Sequence, residues 1–252
     1  DRRIVFVIPY QDQFTLIGTT EMAHEGDPSR AAITPAETEY LCKAANRFLA
    51  KPISPADAVW SYSGVRPLYD DGASSATETT RDYVLTLDGG NGTAPALSIF
   101  GGKITTFRRL AEHALEKLMP FFPGMKPAWT AGARLPGGEL DGIDGDFERF
   151  VAALVARFAF VPPVHLRAMA RRQGSRVFKF LDGVTKLADL GVHFGAGLYA
   201  AEVDLMVGEE WARTSSDILF RRSKLGLHIG LADQAVLGSY LAEKHGLGRV
   251  PA

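Results

Sequence analysis

Arg66, Arg81 and Lys103 are the side chains whose neighbours best fit them for chemistry. Arg66 closes the apolar run Val59 to Val65, with Gly64 two positions before it and Pro67 after it, so its backbone is constrained by its surroundings. A guanidinium held that way suits bidentate recognition of a carboxylate or a phosphate. Alternatively it pairs with a structural aspartate, Asp70 or Asp71. Arg81, in Thr79-Thr80-Arg81-Asp82-Tyr83, opens a second strand and either joins Arg66 or is a solvated strand-end charge. Lys103 follows Gly101-Gly102, where the strand Ala96 to Phe100 runs into a segment carrying Leu110, Ala111, Ala114, Leu115 and Leu118 at helical spacing. Strand, two glycines and a helix start bring bare backbone amides against an anionic or electron-rich ligand, although a ligand-free turn gives the same pattern. A lysine in the first turn opposes the helix dipole, which argues for a ligand that compensates it. Thr105 and Thr106 add two hydroxyls at the same place. Taken together, the three cations fit a dianionic phosphate better than a monocarboxylate.

Other chemistries find no support. The six histidines, His24, His113, His165, His193, His228 and His245, show neither HExxH nor pairing at ligand spacing, so no metal site is expected. No G-x-S-x-G elbow, P-loop or G-x-G-x-x-G dinucleotide fingerprint occurs. Arg221-Arg222 reads either as an anionic-lipid patch or as arginines complementing a helix C-terminus, and lipid patches normally need about four to eight charges.

The elements that must position these groups divide in character. Ile4 to Ile8, ended by Pro9, and Phe14 to Thr20 read as a hairpin. Thr34-Pro35-Ala36-Glu37 is a helix start with a capping-box glutamate, leading to Tyr40, Leu41, Ala44, Ala45 and Phe48 on one side. Val59 to Val65 and Asp82 to Asp88 read as strands, and Asp88 to Gly92 as a turn before Ala96. Prolines and glycines cluster between residues 120 and 140, and beyond them the period is helical over Asp146–Phe158, Val164–Arg172, Leu198–Val207, Ser215–Arg222 and Leu231–Lys244. Gly174, Gly191, Gly195 and Gly197 break those helices. The expected class is mixed α/β or α+β, an antiparallel-sheet part followed by an all-helical part.

The chain has 252 residues, 46% hydrophobic and 23% charged, with a net charge of −1. That balance gives no electrostatic case for nucleic acid. Its one cysteine, Cys42, rules out an internal disulfide framework and sits on a helical face where burial is expected. No apolar run approaches the roughly 18 to 20 residues that span a bilayer as a helix. The start, Asp1-Arg2-Arg3 leading directly into a strand without a methionine, reads as a piece of a longer protein.

Several segments, in this order, resemble the FAD-dependent, quinone-linked glycerol-3-phosphate dehydrogenases. They include Ile17 to Thr20, Trp60 to Leu68, Thr80 to Tyr83, Ser98 to Thr106, Ala111 to Ala114, Pro127 to Thr130 and Leu135 to Gly138. Asp189-Leu190-Gly191, Ala201-Glu202-Val203, Glu210-Trp211-Ala212 and Asp217 to Lys224 continue the match through the helical part. The resemblance covers nearly the whole chain and implies a C-terminal half. It implies a substrate-binding (cap) sheet over residues 1–96, the closing strand and helix of the FAD-binding domain over 97–122, and a helical C-terminal domain over 123–252. Arg66, with Arg81 and Lys103, would bind the substrate phosphate at the catalytic site. Gly101, Gly102, Lys103, Ile104, Thr105 and Thr106 would contact the flavin, whose pyrophosphate fingerprint belongs to the half not present here. The implied reaction oxidises sn-glycerol 3-phosphate to dihydroxyacetone phosphate, with electrons passed to quinone at the cytoplasmic membrane by a peripherally attached protein, a homodimer. No strong base stands out: the resemblance puts it in the other half, with His113 a weak option. Alternatives are a glycerol-3-phosphate oxidase using oxygen, or a piece inactive by itself that acts as a binding or assembly module.

Overall fold

Apolar runs on either side of Gln11-Asp12-Gln13 form the first ribbon. In the computed structural model, which describes residues 4–69, 82–90, 92–140 and 145–247, β1 (Phe6–Tyr10) pairs antiparallel with β2 (Phe14–Gly18). Here the structure corrects the sequence reading. Pro9 does not end the strand but sits within it opposite Thr15, which a two-stranded ribbon with free outer edges tolerates.

Helix α1 (Pro35–Ala45) begins as its sequence dictates. The Thr34 hydroxyl accepts the Glu37 amide, the Glu37 carboxylate accepts the Thr34 amide, and Pro35 fills the first helical position. Leu41, Cys42 and Ala45 are its buried face. Phe48, expected on that face, lies past the helix end and is exposed.

Residues 59–65 are the second correction. They form no strand, although Trp60 and Tyr62 lie close, with ring centroids 5.1 Å apart. Alternation alone does not make a strand, and no ladder partner for this segment occurs among the described residues.

The second ribbon pairs β3 (Tyr83–Asp88) with β4 (Ala96–Gly101), with Tyr83 opposite Gly101. β4 leads into a single 3₁₀ turn, Ile104–Thr106, and then into α2 (Phe107–Leu118). Glu112 on α2 is buried and accepts from the Thr130 amide (3.1 Å) and hydroxyl and from the Arg108 guanidinium (3.0 Å), which fastens residues around 130 to this helix. Those bonds, the Thr130 hydroxyl foremost, hold its carboxyl below the usual range.

The chain divides into two compact units, one ending at Ala133 and the next beginning at Arg134. Among the described residues, the second unit carries helices α3 (Phe147–Arg157), α4 (Pro163–Gln173), α5 (Phe178–Leu181), α6 (Ala200–Glu209) and α7 (Leu231–His245). Asp146 caps α3 by accepting the amides of Glu148 and Arg149. One core gathers Phe150, Leu154, Leu166, Met169 and Leu181; another gathers Phe194, Val203, Met206, Ile218, Leu237 and Leu241. Where the sequence predicted a plain helix over 215–222, residues Asp217–Arg222 form a π-helical turn, and the Ser223 amide reaches the Ile218 carbonyl at 2.8 Å. Seven α-helices and two small antiparallel ribbons are thus described, and none of the described helices is long and apolar enough to cross a membrane.

Candidate functional site

The glycines after β4 are required by geometry. Gly101 has φ +69° and Gly102 φ +94°, where side chains are strained. A Cβ on Gly101 would also lie 3.3 Å from the Asp82 carbonyl oxygen and 3.4 Å from that of Pro67. On Gly102 it would lie 3.1 Å from Leu110 Cδ1 and 3.3 Å from Tyr83 Cβ. Removing both side chains lets the peptide that follows Arg66 lie against the end of β4. The Tyr69 and Phe100 rings, 5.6 Å apart, extend the same contact. Pro67, the residue after Arg66, and Gly101, 34 residues apart in sequence, are therefore neighbours here.

Arg66 does not stand alone. Its Nη1 donates to Glu21 Oε1 at 2.9 Å, with the two side chains 52% and 41% exposed. Nothing in the sequence points to Glu21, because the pair spans 45 positions. Asp70, Asp71 and Arg81 lie outside the described residues, so the proposed aspartate partners and the second arginine have no placement.

Lys103 differs in detail from the sequence reading. It precedes the 3₁₀ turn at its N-cap and so lies outside the first turn of α2, which starts four residues later. Its side chain is exposed, and its carbonyl accepts the Thr106 amide (3.0 Å) and hydroxyl (2.9 Å). The Thr106 hydroxyl is therefore spent inside the turn, and no side chain caps α2. Ile104, at 87% exposure, and Thr105 present their side chains to solvent. The helix start thus has no side-chain cap and presents one exposed hydroxyl, that of Thr105, and one ammonium, while the Thr106 and Phe107 amides are already taken by the Lys103 and Ile104 carbonyls. Such an edge can hold a flat, electron-rich ring or an anion.

His113 lies nearly two turns into α2, where its Nδ1 is 3.3 Å from the Tyr83 hydroxyl and the two rings meet edge to face. Tyr83 also backs Gly102, so His113 touches the site through that ring. No cluster of histidine, cysteine and acidic residues able to hold a metal occurs among the described residues.

Residues 1–108 match the FAD dependent oxidoreductase family model. Over 97% of its length the chain is 49% identical to a glycerol-3-phosphate dehydrogenase of Pseudomonas aeruginosa, covering 47% of that protein. It is 44% identical to the aerobic glycerol-3-phosphate dehydrogenase of Escherichia coli, over 96% of this chain and 48% of the relative. A D-erythritol 1-phosphate dehydrogenase of Brucella abortus is 42% identical over 93% of this chain and 46% of its own length. The chain therefore spans about half the length of these curated relatives.

Proposed function

We propose that this chain is the C-terminal part of a flavoenzyme that oxidises sn-glycerol 3-phosphate to dihydroxyacetone phosphate. The observation that supports the reading is the packing of the Pro67 carbonyl, one residue after the phosphate-binding candidate, against Gly101 in the turn proposed for the flavin. When bound, FAD supplies the acceptor for the hydride leaving C2 and the route by which electrons reach quinone. Gly101, Gly102, Lys103, Ile104, Thr105 and Thr106 would hold the ring: the glycines leave room, and the amides and ammonium favour negative charge on it. Arg66, with Arg81 and Lys103, would bind the phosphate and so fix C2 relative to that ring. The base for the C2 hydroxyl is assigned to the preceding half. In this reading residues 1–96, 97–122 and 123–252 are the substrate sheet, the end of the FAD-binding domain and the helical domain.

The exposed apolar side chains of the first unit support a missing companion half. Phe6, Ile8, Ile99, Ile104 and Phe107 are all exposed, and a two-stranded ribbon is marginal by itself. By itself the chain should then neither retain FAD nor turn over, and stoichiometric flavin on the purified 252-residue protein would count against this. Quinone as acceptor, peripheral attachment at the cytoplasmic face of the membrane, and homodimerisation follow from the resemblance alone. Quinone-analogue reduction measured against peroxide release separates the dehydrogenase from an oxidase.

The Brucella relative favours one further reading, a longer polyol phosphate as substrate. The terminal phosphate is common to both, so Arg66 serves either. In the FAD-loaded enzyme, Arg66→Ala should lower kcat/KM for the true substrate about tenfold to a hundredfold, the loss expected of one charge-assisted contact. Unchanged kinetics would refute the assignment, and the ratio of kcat/KM for glycerol 3-phosphate and erythritol phosphate names the substrate.

A further inference from the structure

We propose that Glu21 is a positioning residue for Arg66, orienting the guanidinium to receive the substrate phosphate; this rests on the phosphate-binding reading of Arg66. An exposed ion pair of this kind contributes little to stability, so holding the fold together is a poor account of it. Its other effect is on freedom. A long arginine side chain loses rotamer entropy whenever it grips an anion, and a carboxylate that already fixes one N–H reduces that loss.

Glu21 is suited to the task because the residue before it is tied to the start of α1. The adjacent Thr20 hydroxyl donates to Glu37 Oε1 at 2.6 Å, and the other oxygen of Glu37 closes the capping box of α1. A chain of contacts therefore runs from the anchored end of α1 through Thr20 and Glu21 to Arg66, and on through Pro67 to the Gly101 turn. Among the described residues the guanidinium bonds Glu21 through Nη1 alone, and with five N–H donors it has an edge to offer a phosphate.

A carboxylate so close also repels a dianion, and the two effects differ in sign. If positioning dominates, removing the carboxylate weakens binding; if repulsion dominates, removal strengthens it. The test compares Glu21→Ala, Glu21→Gln, Arg66→Ala and the Glu21→Ala/Arg66→Ala double variant in the FAD-loaded enzyme. Glu21→Ala should raise KM for the polyol phosphate about three- to tenfold with kcat within about twofold, the split expected of lost ground-state binding. Inhibition by inorganic phosphate should weaken by the same factor, and Glu21→Gln, which keeps an acceptor oxygen, should restore most of it. In the Arg66→Ala background, Glu21→Ala should have no further effect, because the two residues act as one unit. A KM for Glu21→Ala at or below wild type, with Arg66→Ala still impaired, overturns this proposal alone. An unimpaired Arg66→Ala overturns it together with the phosphate reading beneath it.

Discussion

Gly137 and Gly174 meet backbone to backbone: the Ser175 amide donates to the Gly137 carbonyl at 2.9 Å, and a Cβ on Gly137 would lie 2.6 Å from the Gln173 carbonyl oxygen. Gly174 has φ +55° and ψ −138°, and a side chain there would run into the Gly137 carbonyl. This joins the Leu135 to Gly138 segment to the end of α4. Gly174→Ala should therefore destabilise the second unit by about 1–3 kcal/mol through backbone strain alone, with the clash adding to it. Gly183→Ala, also at positive φ but with open space around it, should cost less. Thermal unfolding of the two variants provides the comparison, and equal melting temperatures would contradict it.

Beneath that joint lies a buried ion pair. Arg172 Nε and Nη2 donate to the two oxygens of Glu202 at 2.8 and 2.7 Å, with the side chains 9% and 0% exposed. Removing one partner strands the other charge away from water. Glu202→Ala should cost about 3–5 kcal/mol, whereas replacing both partners by apolar residues of similar volume should cost far less. Urea unfolding of Glu202→Ala and of Arg172→Met/Glu202→Leu measures the difference. If the double variant is the less stable of the two, the account fails.

His165 should make the second unit sensitive to pH. Burial, then the neighbouring His193, then Arg172 hold its pKa below the ordinary value of about 6.5. Its Nδ1 lies 3.1 Å from the Tyr199 hydroxyl, and the Gly197 amide donates to His193 Nε2 at 3.2 Å, which requires that nitrogen to be unprotonated. A depressed histidine means the unfolded chain binds the proton first. Its contribution to stability is complete above about pH 6.5 and is lost as pH falls toward the folded-state pKa. The melting temperature should fall between pH 7 and 5.5 in the wild type and fall less in His165→Asn. Parallel profiles would exclude this histidine as the cause.

These sites differ in how far the sequence announced them. Local signals sufficed for α1, whose Thr34, Pro35 and Glu37 are a self-contained start, and for α3, where Asp146 precedes an apolar period. They misled at residues 59–65, because strand formation depends on a partner that the segment itself does not encode. Lys103 was misplaced by four residues because a 3₁₀ turn intervenes before α2, and nothing in Ile104-Thr105-Thr106 distinguishes that turn from a first helical turn. Cys42, on a helical stripe, is buried as expected. Arg222 shows the other limit: its two donations to the carbonyl of Glu210, the cap residue of α6 (3.2 and 2.6 Å), complement a helix terminus, but one that lies twelve residues earlier. Contacts set by the tertiary fold, Glu21 with Arg66 above all, leave no mark on local pattern.

Two glycines near Arg66 separate local from tertiary constraint. Gly64, two residues before it, has an ordinary φ, and a Cβ there would meet no atom within 4 Å. Gly101, 35 residues after Arg66, has φ +69°, and its Cβ would face the Pro67 carbonyl at 3.4 Å. Alanine at Gly64 should be accepted. Alanine at Gly101 would be strained at that φ and would crowd the Asp82 carbonyl at 3.3 Å and then the Pro67 carbonyl, distorting the turn proposed to hold the flavin. In the FAD-loaded enzyme, Gly64→Ala should keep KM for the polyol phosphate within about twofold, and Gly101→Ala should raise it about tenfold or more, the order of one lost charge-assisted contact. Flavin content per polypeptide, read from the visible spectrum, should fall in Gly101→Ala as well. If Gly64→Ala were the more damaging of the two, the backbone just before Arg66 would govern its aim, and the packing of Pro67 on Gly101 would be incidental to the site.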